Sequence, residues 1–379
     1  MRDGWVETTL GSQLTLEYGK PLTDSNRDGV GYPVFGSAGV VGMHSNPLVS
    51  EGPIIVVGRK GTAGAVYWSQ SPCFIIDTAY FVQIKTDVDS KFLFLVLTYI
   101  DLKGVTVQTG VPGLNRERAY SLKCKIPPLL EQKRIVDLIS SVDSYIGALQ
   151  QQMTSVRSAS NAQLEKIVSD FTDDWVEVSL GDVLEISRGG SPRPIQDYLT
   201  ESKDGVNWVK IADATRSEKY IYSTLQRIKK GGVSRSREVF SGDFILSNSM
   251  SFGRPYIMRI DGCIHDGWLL LSKVSNNFDE DFLYNLLNSD YVQRQFESLA
   301  AGSGVRNLNI EVVKKVKVRI PAIESQKQLA SVINEFDEFI LKLNAQLDSA
   351  TQLRNSVLSD LLSGNHEIPT SYDKVMGAA

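Results

Sequence analysis

The sequence predicts an α+β fold in which two tandem globular domains are each followed by a long helix. The two helices are expected to pack as an antiparallel coiled coil with pseudo-twofold symmetry. Two observations support this prediction. In two stretches, apolar residues recur at alternating steps of four and three over about four heptads, so each helix carries an apolar stripe that needs a partner helix. The second stretch repeats the first after 194 residues without a gap, which indicates an internal duplication.

The duplication extends beyond the helical stretches. The same offset pairs Ile126-Pro127 with Ile320-Pro321, and it pairs Gln132 with Gln326. Helical composition alone would not preserve proline positions, so the agreement favours two copies of one unit. The first positions of each stripe are the expected contacts of the coiled coil or of a partner subunit: Ile135, Ile139, Val142, Ile146, Leu149 and Met153 in the first helix, and Leu329, Ile333, Phe336, Ile340, Leu343 and Leu347 in the second.

Length and composition indicate a globular protein with more than one domain. The chain has 379 residues, of which 42% are hydrophobic and 22% are charged. Its first residues form no apolar signal region, and no run of about 18 uncharged apolar residues occurs. Three cysteines without a CxxC pair indicate neither a disulfide framework nor a zinc site. We therefore expect a cytoplasmic protein.

The first globular domain is expected over residues 1–126 and the second over 171–320. Trp5 returns as Trp175 and Asp77 returns as Asp266, whereas the loops between such scaffold positions differ. Divergent loops on a duplicated scaffold are expected if the two domains read different targets, and drift of unimportant loops is the alternative. In the first domain, strands are predicted at 32–35, 52–57, 67–68 and 79–84 and a helix at 92–102; in the second, a helix is predicted at 282–299.

The long helices are predicted at 127–170 and 321–364. Each follows a β-like run that closes on proline, which cannot continue a strand ladder. Gly364 can adopt the left-handed conformation that ends the second helix, and the tail at 365–379 is expected to be flexible. At a rise of about 1.5 Å per residue, each helix would span about 55 to 60 Å. That length exceeds the turn of B-DNA, about 34 Å, so an antiparallel pair would act as a ruler between the domains.

Charge is distributed unevenly along the chain, although the net charge is only −4. The two globular segments are nearly neutral, and the acidic excess lies in the helices and the tail. Residues 210–237 are rich in cations, and their only acids are Asp213 and Glu218. We expect this basic patch to contact nucleic-acid phosphates, with an ordinary solvated face as the alternative. Its cations are Lys210, Arg216, Lys219, Arg227, Lys229, Lys230, Arg235 and Arg237.

Two loops are further candidates for DNA contact. The glycine-rich segment 58–64 lacks the Gly-Lys-Ser/Thr of a phosphate-binding P-loop, and a tight turn between two strands is the alternative there. The segment 191–194 reads Ser-Pro-Arg-Pro and could present its arginine to a guanine edge in the major groove, with a solvated turn as the alternative. Outside the basic patch, the predicted DNA-binding residues are Lys20, Arg27, Arg59, Lys60, Thr62, Ser191 and Arg193.

The sequence contains no recognisable catalytic constellation. None of the three histidines has partners at metal-ligand spacing. His265 precedes Asp266 as a catalytic base might precede its orienting acid, but the duplicate position carries Ile76 before Asp77, so we interpret His265 as structural. A nucleophile elbow, an HExxH motif, a dinucleotide fingerprint and the base-gripping motif of amino-methyltransferases are all missing. These observations predict a binding protein that is not an enzyme.

Two helix-opening motifs carry a resemblance to a known family. Residues 126–135 read Ile-Pro-Pro-Leu-Leu-Glu-Gln-Lys-Arg-Ile, and residues 320–329 read Ile-Pro-Ala-Ile-Glu-Ser-Gln-Lys-Gln-Leu. With the two-domain plan over about residues 5–364, they resemble the DNA specificity subunit of Type I restriction-modification systems. The resemblance implies two target-recognition domains, each reading one half of a bipartite double-stranded DNA site through the major groove. The apolar seams depart from the regular pattern at Gln163 and Arg354.

The resemblance also implies partners. The coiled coil would set the spacer between the half-sites and dock two methylation subunits, which carry S-adenosylmethionine and methylate adenine. Restriction subunits using ATP and Mg would complete the nuclease, and this chain itself would hold no cofactor and no metal. A recognition subunit of a related system that cleaves on both sides of its site, a free-standing enzyme and a scaffold that does not bind DNA remain as alternatives.

Overall fold

The computed structural model describes residues 4–107, 112–249, 251–274, 277–301 and 307–375. The chain forms two compact units, one made of residues 1–150 and 345–379 and the other of residues 151–344. The domain boundaries predicted from the sequence follow chain order, whereas the compact units divide each long helix between them. In the described residues, no helix combines the length and apolarity that a membrane span requires.

The first unit contains an antiparallel sheet of four strands, a mixed sheet of three strands and several short helices. Its strands are β1 (Val6–Thr9), β2 (Leu14–Tyr18), β3 (Tyr32–Gly36), β4 (Gly39–His44), β5 (Ile54–Gly58), β6 (Val66–Ser69), β7 (Phe74–Ile75), β8 (Ala79–Ile84), β9 (Thr106–Val107), β10 (Gly113–Leu114) and β11 (Lys123–Ile126). Its helices are α1 (Leu10–Gln13), α2 (Ser90–Tyr99), α3 (Arg116–Ser121) and the first part of α4 (Leu129–Ser169). The strand orders are β2-β8-β5-β6 and β4-β3-β7, with β1 paired to β11 and β9 to β10.

The second unit repeats this plan with larger sheets. Its strands are β12 (Val176–Ser179), β13 (Glu185–Arg188), β14 (Leu199–Thr200), β15 (Val206–Val209), β16 (Tyr220–Ile221), β17 (Gln226–Ile228), β18 (Arg237–Val239), β19 (Phe244–Ser247), β20 (Pro255–Met258), β21 (Gly262–Ile264), β22 (Trp268–Ser272) and β23 (Lys317–Ile320). The strand orders are β13-β22-β19-β20-β16 and β14-β17-β15-β21-β18, with β12 paired to β23. The helices that follow α4 are α5 (Leu180–Val183), α6 (Ile211–Thr215), α7 (Glu280–Asn288), α8 (Asp290–Ala301), α9 (Ile310–Lys315), α10 (Ile323–Ser363) and α11 (Tyr372–Val375); α10 continues into the first unit, which also holds α11.

The predicted α+β composition and the two long helices are confirmed, and one predicted helix is in fact two. The sequence predicts a single helix over 282–299, whereas α7 ends and α8 begins around Ser289. The Ser289 hydroxyl donates to the Leu286 carbonyl and accepts from the Val292 amide, so it serves the end of one helix and the start of the next. Gly364 has a φ of 77°, as predicted for the residue that ends α10.

A buried glutamine attaches each long helix to its own domain. The Gln132 side chain accepts from the Asp89 amide at 2.8 Å and donates to the Pro127 carbonyl at 2.8 Å. Gln326 makes the same two bonds in the second unit, to the Asp279 amide at 2.9 Å and to the carbonyl of Pro321, which follows β23, at 2.9 Å. The two glutamines are 2% and 1% exposed.

The aspartates in these bonds begin the helices of the globular domains. The Asp89 carboxylate accepts from the Phe92 amide at the start of α2, and the Asp279 carboxylate accepts from the Phe282 amide at the start of α7. Each glutamine therefore joins three elements, namely the closing strand, the long helix and the domain helix. The pairing of the closing strand with the first strand repeats as well, because Val6 faces Ile126 and Val176 faces Ile320.

The long helices run antiparallel within the first unit. Ile135 and Ile139 of α4 share a hydrophobic core with Leu361 of α10. Further along α4, Asp143 accepts two hydrogen bonds from Arg354, at 2.6 and 3.2 Å. Residue numbers thus rise on one helix as they fall on the other. The ion pair also explains how a cation interrupts the apolar seam, since the facing helix supplies its carboxylate.

In the second unit, Ile167 of α4 packs in one core with Ala330 and Ile333 of α10. Gln163, the other departure from the apolar pattern, is half-buried. The predicted seam residues, from Ile135 to Met153 and from Leu329 to Leu347, are all buried or half-buried.

The C-terminal tail differs from its prediction. The sequence predicts a flexible segment after residue 364, whereas the structure packs the described part of it against the first unit. Ile368 is 4% exposed and lies in the hydrophobic cluster that contains Trp5 and Ile135. Arg134 of α4 donates two hydrogen bonds to the Asp373 carboxylate. These contacts were not predicted, because local composition does not reveal the complementary partners of a single apolar residue and a single acid.

We expect loss of either buried glutamine to destabilise the protein. In Gln326→Ala, a buried carbonyl and a buried amide lose their partner, so the free energy of unfolding should fall by about 1–3 kcal/mol. Urea unfolding followed by circular dichroism measures the change. Gln328→Ala is the matched control, because this side chain is exposed on the same helix, and its effect should stay within about 0.5 kcal/mol. Equal unfolding midpoints for the two variants would contradict the role of Gln326.

Candidate nucleic-acid interface

The glycine-rich segment 58–64 is a tight turn that both domains share. The Gly64 amide donates to the Gly58 carbonyl at 2.8 Å, and the Gly253 amide donates to the Ser247 carbonyl at 2.9 Å. Gly64 and Gly253 have φ values of 81° and 72°, a conformation that favours glycine. The tight-turn interpretation therefore applies to this segment. Its Lys60 and Thr62 are exposed.

Arg59 occupies a scaffold position in this turn. Its Nη1 atom donates to the Asp77 carbonyl at 2.8 Å, and the Asn248 side chain donates to the Asp266 carbonyl at 2.9 Å in the second domain. Arg59 also lies 4.8 Å from the centre of the Tyr18 ring. The side chain is half-buried. Although Arg59 is a predicted DNA contact, its guanidinium is engaged in holding the turn between β7 and β8 that contains Asp77.

The remaining candidates of the first domain divide into one anchored and one exposed side chain. Arg27 donates to the Val41 carbonyl at 2.8 Å and pairs with Asp24 at 2.6 Å, and its side chain is only 14% exposed. It therefore stabilises its own loop. Lys20 is exposed.

Within the basic patch, Lys219 points towards the protein. Its ammonium lies 2.6 Å from the Asp281 carboxylate and 4.7 Å from the centre of the Tyr284 ring. Burial would raise the pKa of Asp281, but hydrogen bonds from Lys219 and Asn334 outweigh burial and lower that pKa below its ordinary value. Asp281 thus links Lys219 to Asn334 of α10, and we remove Lys219 from the proposed DNA-binding set.

The other cations of the basic patch are arranged around the sheet β14-β17-β15-β21-β18. Lys229 donates to the Asp197 carbonyl at 2.7 Å, and Arg235 donates to the Tyr198 hydroxyl at 2.7 Å. Arg227 is half-buried and donates to the Lys203 carbonyl. The remaining members, Lys210, Arg216, Lys230 and Arg237, are exposed like Lys229 and Arg235.

A concave pocket of about 930 Å³ opens beside this sheet. It brings together predicted residues from two separate parts of the sequence. Ser191 and Arg193 come from one loop, and Lys210 comes from the start of α6. The pocket also includes residues that the sequence did not single out, because no local pattern connects strands β15 and β17 to the loop at 191–196. The complete lining is Ser191, Pro192, Arg193, Pro194, Ile195, Gln196, Leu199, Trp208, Lys210, Gln226 and His265.

Asp266 holds the arginine of this pocket. One carboxylate oxygen accepts from the Ser191 hydroxyl at 2.7 Å, and the other lies 3.2 Å from Nη2 of Arg193. The hydrogen bond from Ser191 lowers the pKa of Asp266, so the carboxylate is ionised at neutral pH. The Arg193 side chain nevertheless remains 80% exposed. The loop therefore presents an oriented guanidinium to solvent.

The backbone of His265 occupies a position that is repeated in the first domain, whereas its side chain lines the pocket. A Cβ atom on Gly189 would lie 2.0 Å from the His265 carbonyl oxygen, and one on Gly19 would lie 2.1 Å from that of Ile76, so this close approach of strands is repeated. The imidazole Nδ1 accepts from the Gly267 amide at 2.8 Å. Burial lowers the pKa of His265, which favours a neutral ring with its proton on Nε2.

Side chains that could bind a metal ion do not cluster in the described part of the chain. No group of three or more His, Cys, Asp or Glu side chains that could hold a metal ion occurs among the described residues. Cys73, Cys124 and Cys263 are buried, and burial raises the pKa of each thiol to about 11. Thiols with such pKa values are poor nucleophiles at neutral pH.

Comparison with known proteins identifies relatives over most of the chain. The family model described as Type I restriction modification DNA specificity domain matches residues 2–156 and 172–350. The Type I restriction enzyme MjaVIII specificity subunit of Methanocaldococcus jannaschii is 23% identical over 343 residues, which cover 84% of this chain and 80% of that protein.

Two solved structures share the fold. A Type-I restriction-modification system S subunit from M. genitalium has a TM-score of 0.54 and 16% identity, covering 96% of this chain and 97% of that one. A chain from a study of complex assembly and conformational transition in the type I R-M system has a TM-score of 0.63 and 13% identity, covering 96% and 98%. Both alignments span the two globular domains and both long helices.

We expect the His265 side chain to be neutral in solution. In protein labelled with ¹⁵N-histidine, its ring nitrogens should show the tautomer with the proton on Nε2, and its pKa should lie below the ordinary value of about 6.5. His265→Gln assigns the signal, which is simplified by the presence of only three histidines. A positively charged ring at pH 7 would contradict the hydrogen bond from Gly267 to Nδ1.

Proposed function

The chain belongs to the family of Type I restriction modification DNA specificity domains, and from this premise we propose that it is the sequence-specific DNA recognition subunit of a Type I restriction-modification complex. Each globular domain reads one half of a bipartite site through the major groove. The observation that carries this proposal is a repeated scaffold with different side chains. The second domain carries the Arg193 pocket and the basic patch at 210–237, and the first domain has Ile76 at the position of the pocket residue His265. Two domains with one backbone plan and different exposed side chains are suited to two different half-sites.

The charge arrangement supports contact with DNA. Lys229 and Lys230 are exposed cations beside the Arg193 pocket, and the anchoring of Lys229 and Arg235 to neighbouring groups limits the freedom that binding would have to remove. Phosphate contacts from such residues position a protein on the duplex, while side chains in the pocket are available to read base edges. A scaffold that does not bind DNA would have no use for this combination.

The long helices support a role in assembly. In the first unit, the exposed side chains of Tyr145 and Leu353 flank an apolar groove of about 640 Å³ between α4 and α10. In the second unit, Phe339 and Leu341 are exposed on α10. We assign these surfaces to the docking of two methylation subunits, and we assign the spacing of the half-sites to the coiled coil.

The chemistry of the complex belongs to the partners. The methylation subunits supply S-adenosylmethionine and the restriction subunits use ATP and Mg, so this chain contributes recognition without a cofactor. We expect the complex to act in the cytoplasm, where its DNA substrate lies.

Mapping methylated adenine across the host genome, with and without this gene, tests the proposal. Deletion should abolish methylation at one split motif and leave all other motifs unchanged. Reintroducing the gene should restore that motif. An unchanged methylation map in cells that express the protein would instead favour an assembly scaffold.

We expect DNA binding by the chain assembled with methylation subunits to weaken steeply with salt. Replacing Lys229 and Lys230 with glutamine should weaken binding by a similar factor on all sequences. The slope of log K against log salt concentration should fall by about 1 for each phosphate that the variant no longer neutralises. Lys314→Gln is the control, because Lys314 lies on α9, outside the basic patch, and is similarly solvent-accessible. An unchanged slope in the double variant would exclude these lysines from the interface.

A further inference from the structure

The pocket of the second domain presents mainly hydrogen-bond donors. Arg193 and Lys210 have no acceptor atoms. Gln226 has one acceptor, but its Oε1 already accepts from Nζ of Lys210 at 3.2 Å, which leaves the NH₂ group for a ligand. In His265, the Gly267 amide occupies Nδ1, so Nε2–H is the free ring atom. Acceptor capacity in the lining remains on Gln196, which is exposed at the rim, and on the hydroxyl oxygen of Ser191.

The acidic group next to the pocket, Asp266, is hydrogen-bonded within the protein. One oxygen of Asp266 accepts from Ser191 and the other from Arg193, so this carboxylate already uses part of its acceptor capacity to orient the guanidinium. The Ser191 hydroxyl donates a hydrogen bond to Asp266. The arrangement fixes Arg193 from one side and leaves its other N–H groups directed to solvent.

A ligand that matches these donors must present adjacent acceptors. In the major groove of DNA, guanine shows two neighbouring acceptors, N7 and O6, and no donor. Adenine and cytosine each present an amino donor there, and thymine presents a methyl group beside its single acceptor. Arginine pairs with the guanine edge through two parallel hydrogen bonds.

Phosphate oxygens are also acceptors, but the surroundings favour a base. Pro192, Ile195, Leu199 and Trp208 give the pocket apolar walls, which suit the edge of a base better than a strongly hydrated anion. The ionised Asp266 beside Arg193 further reduces the attraction for a phosphate charge.

We propose that the second domain reads a guanine in its half-site through this pocket, with Arg193 as the specificity-determining residue. Gln226 and His265 supply further donors, and Asp266 is a positioning residue. The inference rests on the proposed function and deepens it. In the first domain Ile76 replaces His265, and Lys20 stands where the second domain has Gly190. The proposed guanine therefore belongs to the half-site of the second domain.

Selection of bound sequences from randomised duplexes tests the proposal. The chain is assembled with its methylation subunits, and wild type is compared with Arg193→Ala, Arg193→Lys and Arg294→Ala. In wild type, one half-site should contain a guanine that Arg193→Ala no longer selects, and the preference should fall by about 5- to 150-fold, the effect expected when one bidentate pair of hydrogen bonds is removed. The other half-site should keep its sequence.

The control variants separate a base contact from a charge contact. Arg193→Lys retains the charge but not the planar pair of donors, so it should also lose the preference. Arg294→Ala removes a similarly exposed cation of the second domain that lies on α8, outside the pocket and the basic patch, and should leave the preference unchanged. If Arg193 contacts phosphate instead, Arg193→Ala should weaken binding on all sequences alike, lower the salt slope by about 1, and be rescued by lysine.

The phosphate result would overturn the inference. So would a wild-type half-site that can be assigned to the second domain and contains no guanine. In either case the recognition function would stand. The wild-type result is independent of whether any variant folds. Absence of any sequence preference in the wild-type complex would overturn the proposed function itself.

Discussion

The attachment of each long helix by a buried glutamine is the constraint on which the architecture depends. Gln132 and Gln326 satisfy an amide and a carbonyl that are shielded from water, so each bond pair can be replaced only at the cost of unpaired buried groups. Since the same amides belong to the capping residues Asp89 and Asp279, the glutamine couples the start of a domain helix to the start of a long helix. The orientation of each domain on its helix thus follows from a single side chain.

Because this attachment is repeated, the two domains can differ in their loops and keep the same scaffold. The carbonyl of Asp77 accepts from Arg59 and the carbonyl of Asp266 accepts from Asn248, so different side chains serve one structural purpose. Arg59 lies in a loop that looks suited to phosphate, yet it is engaged by the fold. A cation in a glycine-rich segment is therefore weak support for ligand binding until its partners are known.

The pocket of the second domain illustrates how ionisation and hydrogen bonding set recognition together. Asp266 stays charged and orients Arg193, whereas His265 is held neutral by burial and donates from Nε2. Orientation before binding reduces the side-chain entropy that a DNA complex would otherwise lose. Selectivity in such a pocket comes from which atoms remain unpaired after the protein has satisfied its own hydrogen bonds.

The sequence alone determined the duplication, the two long helices, the closing strands that end before Pro127 and Pro321, and the family. These features depend on periodicity and on backbone chemistry, which are local and readable. Only the tertiary structure decided that Lys219 and Arg59 turn towards the protein while Arg193 faces solvent, and that Gln226 and His265 join the Ser191 loop in one pocket. The physical reason is that the partner of a side chain is chosen by long-range strand pairing, which brings distant residues together and leaves no local pattern in the sequence.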